Sequence, residues 1–407
     1  MTHSAKAVLG RARPWLSTLR SRVGLKERRR RREILQHPTG FRRPKTTGVV
    51  VSDKAPTASD VAIATRLLAA YRANPQSPST GRVDLWTEIA ASQQRFASIL
   101  VRGDAEELAE YLCNVSRQDA SAGITQGAGE FSRISRDAGY RDFITLMAKD
   151  KLVSLAEALG ALPIENPEQG RYRFNLHRDA ADLVDRISER LGIVISPPDV
   201  DGGLLKLDTG RGLFGERDAN AIYTAWLLTS LLAGKPRRRV CEIGGGSGRV
   251  AYWSHRLGLT SYTIVDLPQV NVVQGFYALK NLPADQVALY GEQPADDNVG
   301  KLLILPASAT SEVCSPIYDL VLNQDSFPEI DRATVMDYLR WTRVTCTGRL
   351  VSINHESKPR SVHRTLQLSV PEIIGDADGF ELEHRWPYWL RRGYAVEIYR
   401  VRASGSR

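Results

Sequence analysis

A glycine-rich turn follows an apolar strand in the second half of this 407-residue chain. Arg239–Ile243 reads as a short β-strand, and Gly244–Gly248 leads from it into a predicted helix. Glycines at such a turn let a ligand approach the backbone closely, because no Cβ stands in the way. A second apolar run, Tyr262–Val265, ends in Asp266, whose carboxylate could accept hydrogen bonds from two ribose hydroxyls. Together these residues predict a nucleoside cofactor.

The spacing of the glycines distinguishes between two nucleoside cofactors. A dinucleotide turn has the pattern G-x-G-x-x-G, but the sixth position counted from Gly244 is Arg249. Glu242 precedes the turn, and its carboxylate would repel a pyrophosphate but attract the ammonium and sulfonium groups of S-adenosylmethionine. We therefore predict S-adenosylmethionine as the cofactor, with an NAD-dependent sugar oxidoreductase or epimerase as the alternative. The residues predicted to bind it here are Glu242, Gly244, Gly246, Gly248 and Asp266.

Transfer of the methyl group of a sulfonium requires alignment with the acceptor atom. Where that atom is a hydroxyl oxygen, a base that removes its proton should accelerate the transfer. His355 follows the apolar run Leu350–Ile353, and histidine side chains titrate near neutral pH. Asp325 follows the run Leu320–Leu322 and is the second candidate. The structural alternatives are a loop histidine bonded to Glu356 or solvent and a loop acid bonded to backbone amides.

A divalent cation held by Asp325, Glu329 and Asp331 is a further possibility. Their spacing matches no known ligand loop, and Asp331 is well placed to cap the helix that follows it. We therefore predict no metal site.

The elements that must position these residues are strands alternating with helices. After Pro236 short apolar runs recur between helical stretches, which predicts a mostly parallel sheet with helices on both faces. Ligands of such sheets bind beyond the carboxyl ends of the strands, where all the candidate residues lie. Val61–Leu191 reads as mostly helical. We predict an α/β protein with a Rossmann-like domain over 201–407, a helical N-terminal domain over 56–200 and a basic, disordered tail over 1–55.

The positive charge of the chain is concentrated at its N-terminus. Residues 1–45 hold 14 Lys and Arg against 2 acidic residues, whereas the remainder holds 41 basic and 44 acidic residues. Such a body lacks the basic surface that nucleic-acid binding requires. Trp15, Leu19 and Val23 recur at helical spacing among arginines, so residues 1–45 could contact an anionic membrane; the alternative is a solvated charge run. Binding to anionic vesicles that survives deletion of 1–45 would exclude this contact.

The cysteine and hydropathy patterns predict a cytoplasmic protein. Four cysteines lie far apart without a CxxC pair, which indicates neither a zinc site nor a disulfide framework. No apolar run reaches the length of about 18 residues that spans a bilayer. The N-terminus also lacks the apolar segment of a secretory signal. With the basic tail, these features predict a protein that could lie at the inner face of the membrane.

The segment Val240–Leu267 resembles the Rossmann-type (class I) S-adenosylmethionine-dependent methyltransferases. Together with Asp319–Phe327, Val351–Glu356 and Leu204–Leu228, it resembles the sugar O-methyltransferase family of bacterial polysaccharide and lipopolysaccharide gene clusters. The resemblance covers roughly residues 60–402. This chain departs from the family pattern at one place. After Ser326-Phe327, where the family pattern predicts Gly-Glu, it has Pro328-Glu329.

This resemblance implies methylation of a hydroxyl on a sugar, nucleotide-sugar or lipid-linked glycan acceptor. Asn323 and Asn354 would then hold the methionine part of the cofactor or the sugar hydroxyls. A DNA amino-methyltransferase would carry a proline pair after the fourth strand, and this chain has none in 323–327. A cofactor-binding scaffold without activity is the non-enzymatic alternative. Further side chains that could contact the acceptor are Arg211, Arg217, Trp386, Tyr388 and Trp389.

Overall fold

Helices dominate the N-terminal half of the protein. The computed structural model describes residues 33–37, 44–74, 84–124, 128–166, 168, 174–200, 205–315, 317–358 and 366–402. Aspartates stand at the N-terminus of several helices and accept hydrogen bonds from first-turn amides, as Asp104, Asp137 and Asp179 do. The helices are α1 (Ala58–Ala73), α2 (Leu85–Ser92), α3 (Gln94–Arg102), α4 (Ala105–Cys113), α5 (Ala128–Arg136), α6 (Ala138–Ala158) and α7 (Ala180–Leu191).

The predicted helical N-terminal part is confirmed, with one interruption. The pattern over 85–100 predicts one helix, but the chain breaks at Gln93 between α2 and α3. Within the described ranges, no helix combines the length and the apolar composition needed to cross a bilayer. All four cysteines are free thiols in the structure.

A small antiparallel sheet that the sequence pattern does not predict joins distant parts of the chain. It consists of β1 (Thr47–Val50), β2 (Leu205–Asp208) and β3 (Leu213–Phe214), with β2 in the centre. Thr47 pairs with Asp208 across the sheet. The prediction that the tail extends to residue 55 is therefore wrong for residues 44–55. A four-residue strand paired with a distant segment leaves no local periodicity to detect.

Most of the basic N-terminal segment lies outside the described residues. This applies to the predicted amphipathic helix around Trp15 and to residues 1–32 as a whole. The proposed membrane contact and the disorder of this segment remain predictions.

The second half of the chain forms an eight-stranded, mostly parallel sheet. Its spatial order is β10-β11-β9-β8-β4-β5-β7-β6, and β11 alone runs opposite to its neighbours. The strands are β4 (Val240–Ile243), β5 (Tyr262–Asp266), β6 (Val287–Leu289), β7 (Leu302–Pro306), β8 (Tyr318–Gln324), β9 (Cys346–His355), β10 (Phe380–Pro387) and β11 (Tyr394–Val401). The accompanying helices are α8 (Glu216–Leu231), α9 (Arg249–Arg256), α10 (Pro268–Asn281), α11 (Arg332–Thr345) and α12 (Val370–Gly375). The predicted Rossmann-like α/β fold is confirmed.

The strand order reverses between β4 and β8. From β4 the chain moves through β5 to β7 on one side, then returns to place β8 on the other side of β4. The loops that follow β4 and β8 therefore diverge to opposite faces of the sheet and leave a crevice between them. This crevice is where a ligand of such a sheet binds.

The sheet separates two apolar clusters, and one of them continues into the helical half. Val240 and Ile264 belong to the cluster that also contains core residues of α1, α4 and α6. Cys241 and Val265, which alternate with them, belong to the cluster that packs against α11 and α12. The helical half and one face of the sheet therefore share a single core.

Close contact between α1 and α10 shows how tightly the two halves pack. A Cβ added at Gly275 would stand 2.4 Å from a methyl carbon of Leu67, so glycine is required where the helices meet. The ammonium of Lys280 lies 2.5 Å from the buried carboxylate of Asp60, and that contact lowers the pKa of Asp60 in spite of its burial.

A buried polar network anchors the described N-terminal segment 33–37 to this body. His37 lies 2.9 Å from Asp150 through Nδ1 and 2.9 Å from Glu157 through Nε2. Glu157 also accepts hydrogen bonds from Asn175 (3.0 Å) and from the indole of Trp389 (3.0 Å). Burial alone would lower the pKa of His37, but the two carboxylates outweigh it and raise the pKa to about 9.

The charge on His37 should make stability depend on pH. Because the folded pKa of about 9 exceeds the unfolded value near 6.5, the stabilisation is complete below pH 6.5 and is lost as pH rises towards 9. We expect His37→Gln to lower the unfolding free energy at pH 6 by about 3 kcal/mol. The loss should be smaller at pH 9.5, measured by urea denaturation. The control is His384→Gln, at an exposed histidine of β10. An equal loss of unfolding free energy at both pH values for His37→Gln would contradict the prediction that a positive charge on His37 stabilises the fold.

Candidate active site

A cavity of about 890 Å³ lies at the carboxyl ends of the central strands. Its floor is formed by the loops that follow β4, β5, β8 and β9, the positions at which the sequence predicts the functional residues. Its opposite wall comes from the helical half, including Trp86 of α2 and Lys151 of α6. Glu33, Ile34 and Gln36 of the N-terminal segment complete the lining.

The glycine turn after β4 forms one end of the cavity. Gly244 and Gly246 have φ angles of 77° and 57°, a region that favours glycine. A Cβ on Gly244 would stand 2.2 Å from Ser326 Oγ, whereas one on Gly246 would meet nothing within 4 Å. Gly248, at φ 79°, lies directly before α9 and does not line the cavity. The turn thus presents bare backbone to the cavity at Gly244–Gly246.

Glu242 lies beneath the glycine turn and is almost fully buried. Its Oε2 accepts a hydrogen bond of 2.9 Å from the hydroxyl of Tyr262. Burial raises the pKa of Glu242 to about 8, the nearby charge of Asp266 adds to this rise, and the Tyr262 hydrogen bond opposes it. The unliganded site therefore holds a proton at neutral pH that a cationic ligand would displace.

Asp266 ends β5 beside the turn, as the sequence predicts. It accepts hydrogen bonds from the Leu267 amide (2.8 Å) and from Gln274 Nε2 (2.7 Å). Burial raises the pKa of Asp266 to about 6, and these hydrogen bonds limit the rise. Gln274 also donates to the carbonyl of Gly246 (3.1 Å), so one side chain ties the carboxylate to the glycine turn.

The raised pKa of Glu242 leads to a testable consequence for ligand binding. A ligand with a positive charge near Glu242 should lower its pKa and release about one proton at pH 7. Affinity should then rise with pH up to about pH 8 and level off above it. Calorimetric titration of S-adenosylmethionine in two buffers of different ionisation enthalpy measures the proton count, and Glu242→Gln should abolish the release. Proton uptake, or the same heat in both buffers, would contradict this prediction.

Asn323, predicted to bind the cofactor, is fully buried and does not line the cavity. Its Nδ2 donates to the carbonyl of Ile243 (3.0 Å) and to Ser326 Oγ (2.6 Å). Its Oδ1 accepts from Asn354 Nδ2 at 3.0 Å. These contacts connect the ends of β4, β8 and β9. The geometry therefore assigns Asn323 to positioning the loops, and direct contact with the cofactor remains a prediction.

Asp325 follows β8, lines the cavity and is held as an ionised carboxylate. Its oxygens contact Arg391 Nη1 at 2.5 Å and the Tyr394 hydroxyl at 2.6 Å. Burial would raise the pKa of Asp325, but these partners outweigh it and lower the pKa. Its φ of 64° is the only positive value of a non-glycine residue in the described part of the chain. A carboxylate so strongly paired is a poor proton acceptor.

His355 ends β9 and lines the same cavity. Its Nδ1 lies 3.0 Å from the carbonyl oxygen of Ser357, which can only accept a hydrogen bond. Nδ1 of the neutral ring must therefore carry the proton, which leaves the lone pair on Nε2. Within the described ranges no hydrogen bond occupies Nε2, and the ring packs edge-on against Tyr394. This arrangement suits a general base.

The structure adds Glu329, which the sequence suggested only as a metal ligand. It lines the cavity, and burial raises its pKa to about 7, with the negative charge of Asp325 adding to the effect. The positive charges of Arg217 and Arg391 and the indole of Trp86 oppose this rise in pKa. Its pKa, close to neutrality, makes Glu329 a second candidate base.

The other predicted contacts divide between the cavity and the rest of the fold. Arg217 and Tyr388 line the cavity, whereas Arg211 forms an exposed ion pair with Asp185. Asp331 accepts hydrogen bonds from two amides at the start of α11, as a helix cap. The described residues contain no group of three His, Cys, Asp or Glu side chains that could hold a metal ion.

Comparisons with known proteins complete this description. No family model and no curated protein matches the chain. A glycopeptide N-methyltransferase, MtfA, solved with S-adenosyl-L-homocysteine, is similar with a TM-score of 0.35 and 14% identity over 45% of this chain and 90% of its own. The cyclase SpnF gives 0.34 and 12% over 45% and 81%. Geranyl diphosphate C-methyltransferase from Streptomyces coelicolor A3(2) gives 0.32 and 12% over 44% and 74%. These neighbours are named for three different chemistries.

Proposed function

We propose that this protein binds S-adenosylmethionine and transfers its methyl group to oxygen. The observation that carries the proposal is a single cavity bordered by Gly244–Gly246, Glu242 and Asp266 at one end and by His355 at the other. Bare backbone and a carboxylate at the tip of the next strand suit a nucleoside. A second carboxylate under the turn suits a cationic ligand and disfavours a pyrophosphate.

The residues of the cavity would contribute to transfer mainly by position. When bound, S-adenosylmethionine supplies the electrophilic methyl group. His355 Nε2 would accept the hydroxyl proton as the new bond forms, while Asp325 holds Arg391 and Tyr394 in place. Trp86 and Tyr388 offer aromatic faces, and Arg217 offers a hydrogen-bond donor, as sugar-binding sites do. We propose a hydroxyl of a sugar or glycan precursor as the acceptor, in agreement with the sequence resemblance.

Calorimetric titration with S-adenosylhomocysteine, with NAD in parallel, tests the cofactor assignment. Micromolar binding of the first and none of the second is the expected result. Tight NAD binding without a response to S-adenosylhomocysteine would make a sugar oxidoreductase the better hypothesis. Cofactor binding without turnover on any hydroxyl acceptor would favour the scaffold.

A further inference from the structure

Lys151 is a lysine that lines the cavity. It lies on α6, in the part of the lining that the helical half contributes, and is partly buried. Within the part of the chain that the structure describes, its ammonium makes no hydrogen bond and no ion pair. Its nearest charges therefore act on it only at longer range.

The other buried charges of the same helix all have partners. Lys149, two residues earlier, donates to the carbonyl of Lys45 at 2.8 Å. Asp150 and Glu157 each pair with His37 at 2.9 Å. The fold thus satisfies every neighbouring charge of this helix that it buries. Lys151 differs because it lines the cavity and has no such partner among the described residues.

An unpaired ammonium in such a place is costly for the empty protein. Removal from water penalises a charge unless an opposite charge or hydrogen bonds replace the solvent. Burial accordingly lowers the pKa of Lys151. The positive charges of Arg391 and Arg217 add to this effect, and the negative charges of Glu216 and Asp150 oppose it. An anion bound in the cavity would remove this penalty.

The surroundings of Lys151 belong to the reacting end of the cavity. Arg391 and Arg217, which act on Lys151, are also the cations that act on Asp325 and Glu329. Glu242 and Asp266, at the cofactor end, are not among its principal charge neighbours. A ligand group at Lys151 would thus belong to the acceptor.

We propose that Lys151 binds an anionic substituent of the acceptor, a carboxylate or a phosphate, and so selects acidic sugars over neutral ones. This inference rests on the proposed function for the identity of the acceptor, but the anion site itself does not depend on turnover. Lys151 acts here as a specificity residue. The ion pair would orient the sugar relative to the base by a charge-assisted hydrogen bond.

Competitive acetylation of the full-length protein tests the site without an activity assay. The rate at which acetic anhydride modifies Lys151 is followed by mass spectrometry, with the exposed Lys235 as internal reference. Glucuronate or glucose 1-phosphate at about ten times its dissociation constant should slow modification of Lys151 about tenfold and leave Lys235 unchanged. Glucose should protect neither. Protection by only one of the two anions identifies the carboxylate or the phosphate as the group recognised.

Two variants distinguish this inference from the proposed function. Lys151→Met should weaken binding of the protecting anion at least tenfold, Lys151→Arg should retain most of it, and both should bind S-adenosylhomocysteine as the wild type does. Equal protection by glucose, or unchanged anion binding in Lys151→Met, would overturn the inference. A loss of S-adenosylhomocysteine affinity in Lys151→Met would place the lysine at the cofactor carboxylate instead. Failure of the wild type to bind S-adenosylhomocysteine would count against the proposed function and leave the acetylation result standing.

Discussion

Replacement of Gly246 by aspartate should abolish cofactor binding while the protein remains folded. Gly246 has a φ of 57°, and a Cβ at this position would meet no protein atom within 4 Å. Aspartate tolerates this backbone region better than most residues, so the change should cost only about 1 kcal/mol of stability. Its side chain would, however, occupy the space beside the turn that the cofactor needs. We expect the affinity for S-adenosylhomocysteine to fall by at least about 100-fold in calorimetry.

Gly258 provides a matched control for this experiment. It has a φ of 85°, its Cβ would likewise meet nothing within 4 Å, and it lies in the turn after α9, outside the cavity lining. Gly258→Asp thus carries the same backbone strain and the same charge, and it should bind S-adenosylhomocysteine as the wild type does. Similar affinities of the two variants for S-adenosylhomocysteine would show that the glycine turn does not contact the cofactor.

Replacement of His355 by glutamine should slow methyl transfer by about 10²–10⁴-fold and leave cofactor affinity unchanged. Glutamine is similar in size and can still donate a hydrogen bond to the Ser357 carbonyl, but it cannot accept a proton at neutral pH. The wild-type hydrogen bond at 3.0 Å holds the lone pair on Nε2, and that lone pair is what the variant loses. Transfer of radiolabelled methyl groups to an acidic sugar acceptor measures the rate, and titration of S-adenosylhomocysteine measures the affinity.

Glu329→Gln and Asp325→Asn serve as comparisons for the His355 variant. Asn tolerates the φ of 64° at position 325, so Asp325→Asn removes the charge and leaves the backbone as it is. If Asp325 only positions Arg391 and Tyr394, its loss should affect the KM of the acceptor more than kcat. A large fall of kcat in Glu329→Gln with little change in the His355 variant would transfer the role of base to Glu329.

Local patterns made much of the sheet predictable from sequence. Six of its strands, among them Val240–Ile243 and Tyr262–Asp266, consist of apolar runs that are buried on both faces. Val287–Leu289, with three residues, and Phe380–Pro387, an edge strand rich in charge, lack that signal and were not predicted. The three-stranded sheet was not predicted for another reason, because its pairing joins residues far apart in the chain.

The position of the site was predictable, but the charge state of its residues was not. The rule that ligands bind beyond the carboxyl ends of parallel strands placed Asp266, Asp325 and His355 in one cavity. The pKa of a carboxylate, however, depends on side chains from other elements. Glu329 and Asp325 differ because Arg391 contacts only the latter, and no local pattern shows this. Lys151 lies within an ordinary helix and belongs to no motif.

The two walls of the cavity come from different parts of the chain, and this division has an evolutionary consequence. The wall with the glycine turn is built from strand ends, where a change of one residue disturbs both the sheet and the proposed cofactor site. The helical half contributes α6, whose cavity-lining positions can vary while its buried face keeps the shared core. Substitutions in the helical half can therefore change which ligand the cavity accepts in descendants of this protein and leave the strand ends as they are.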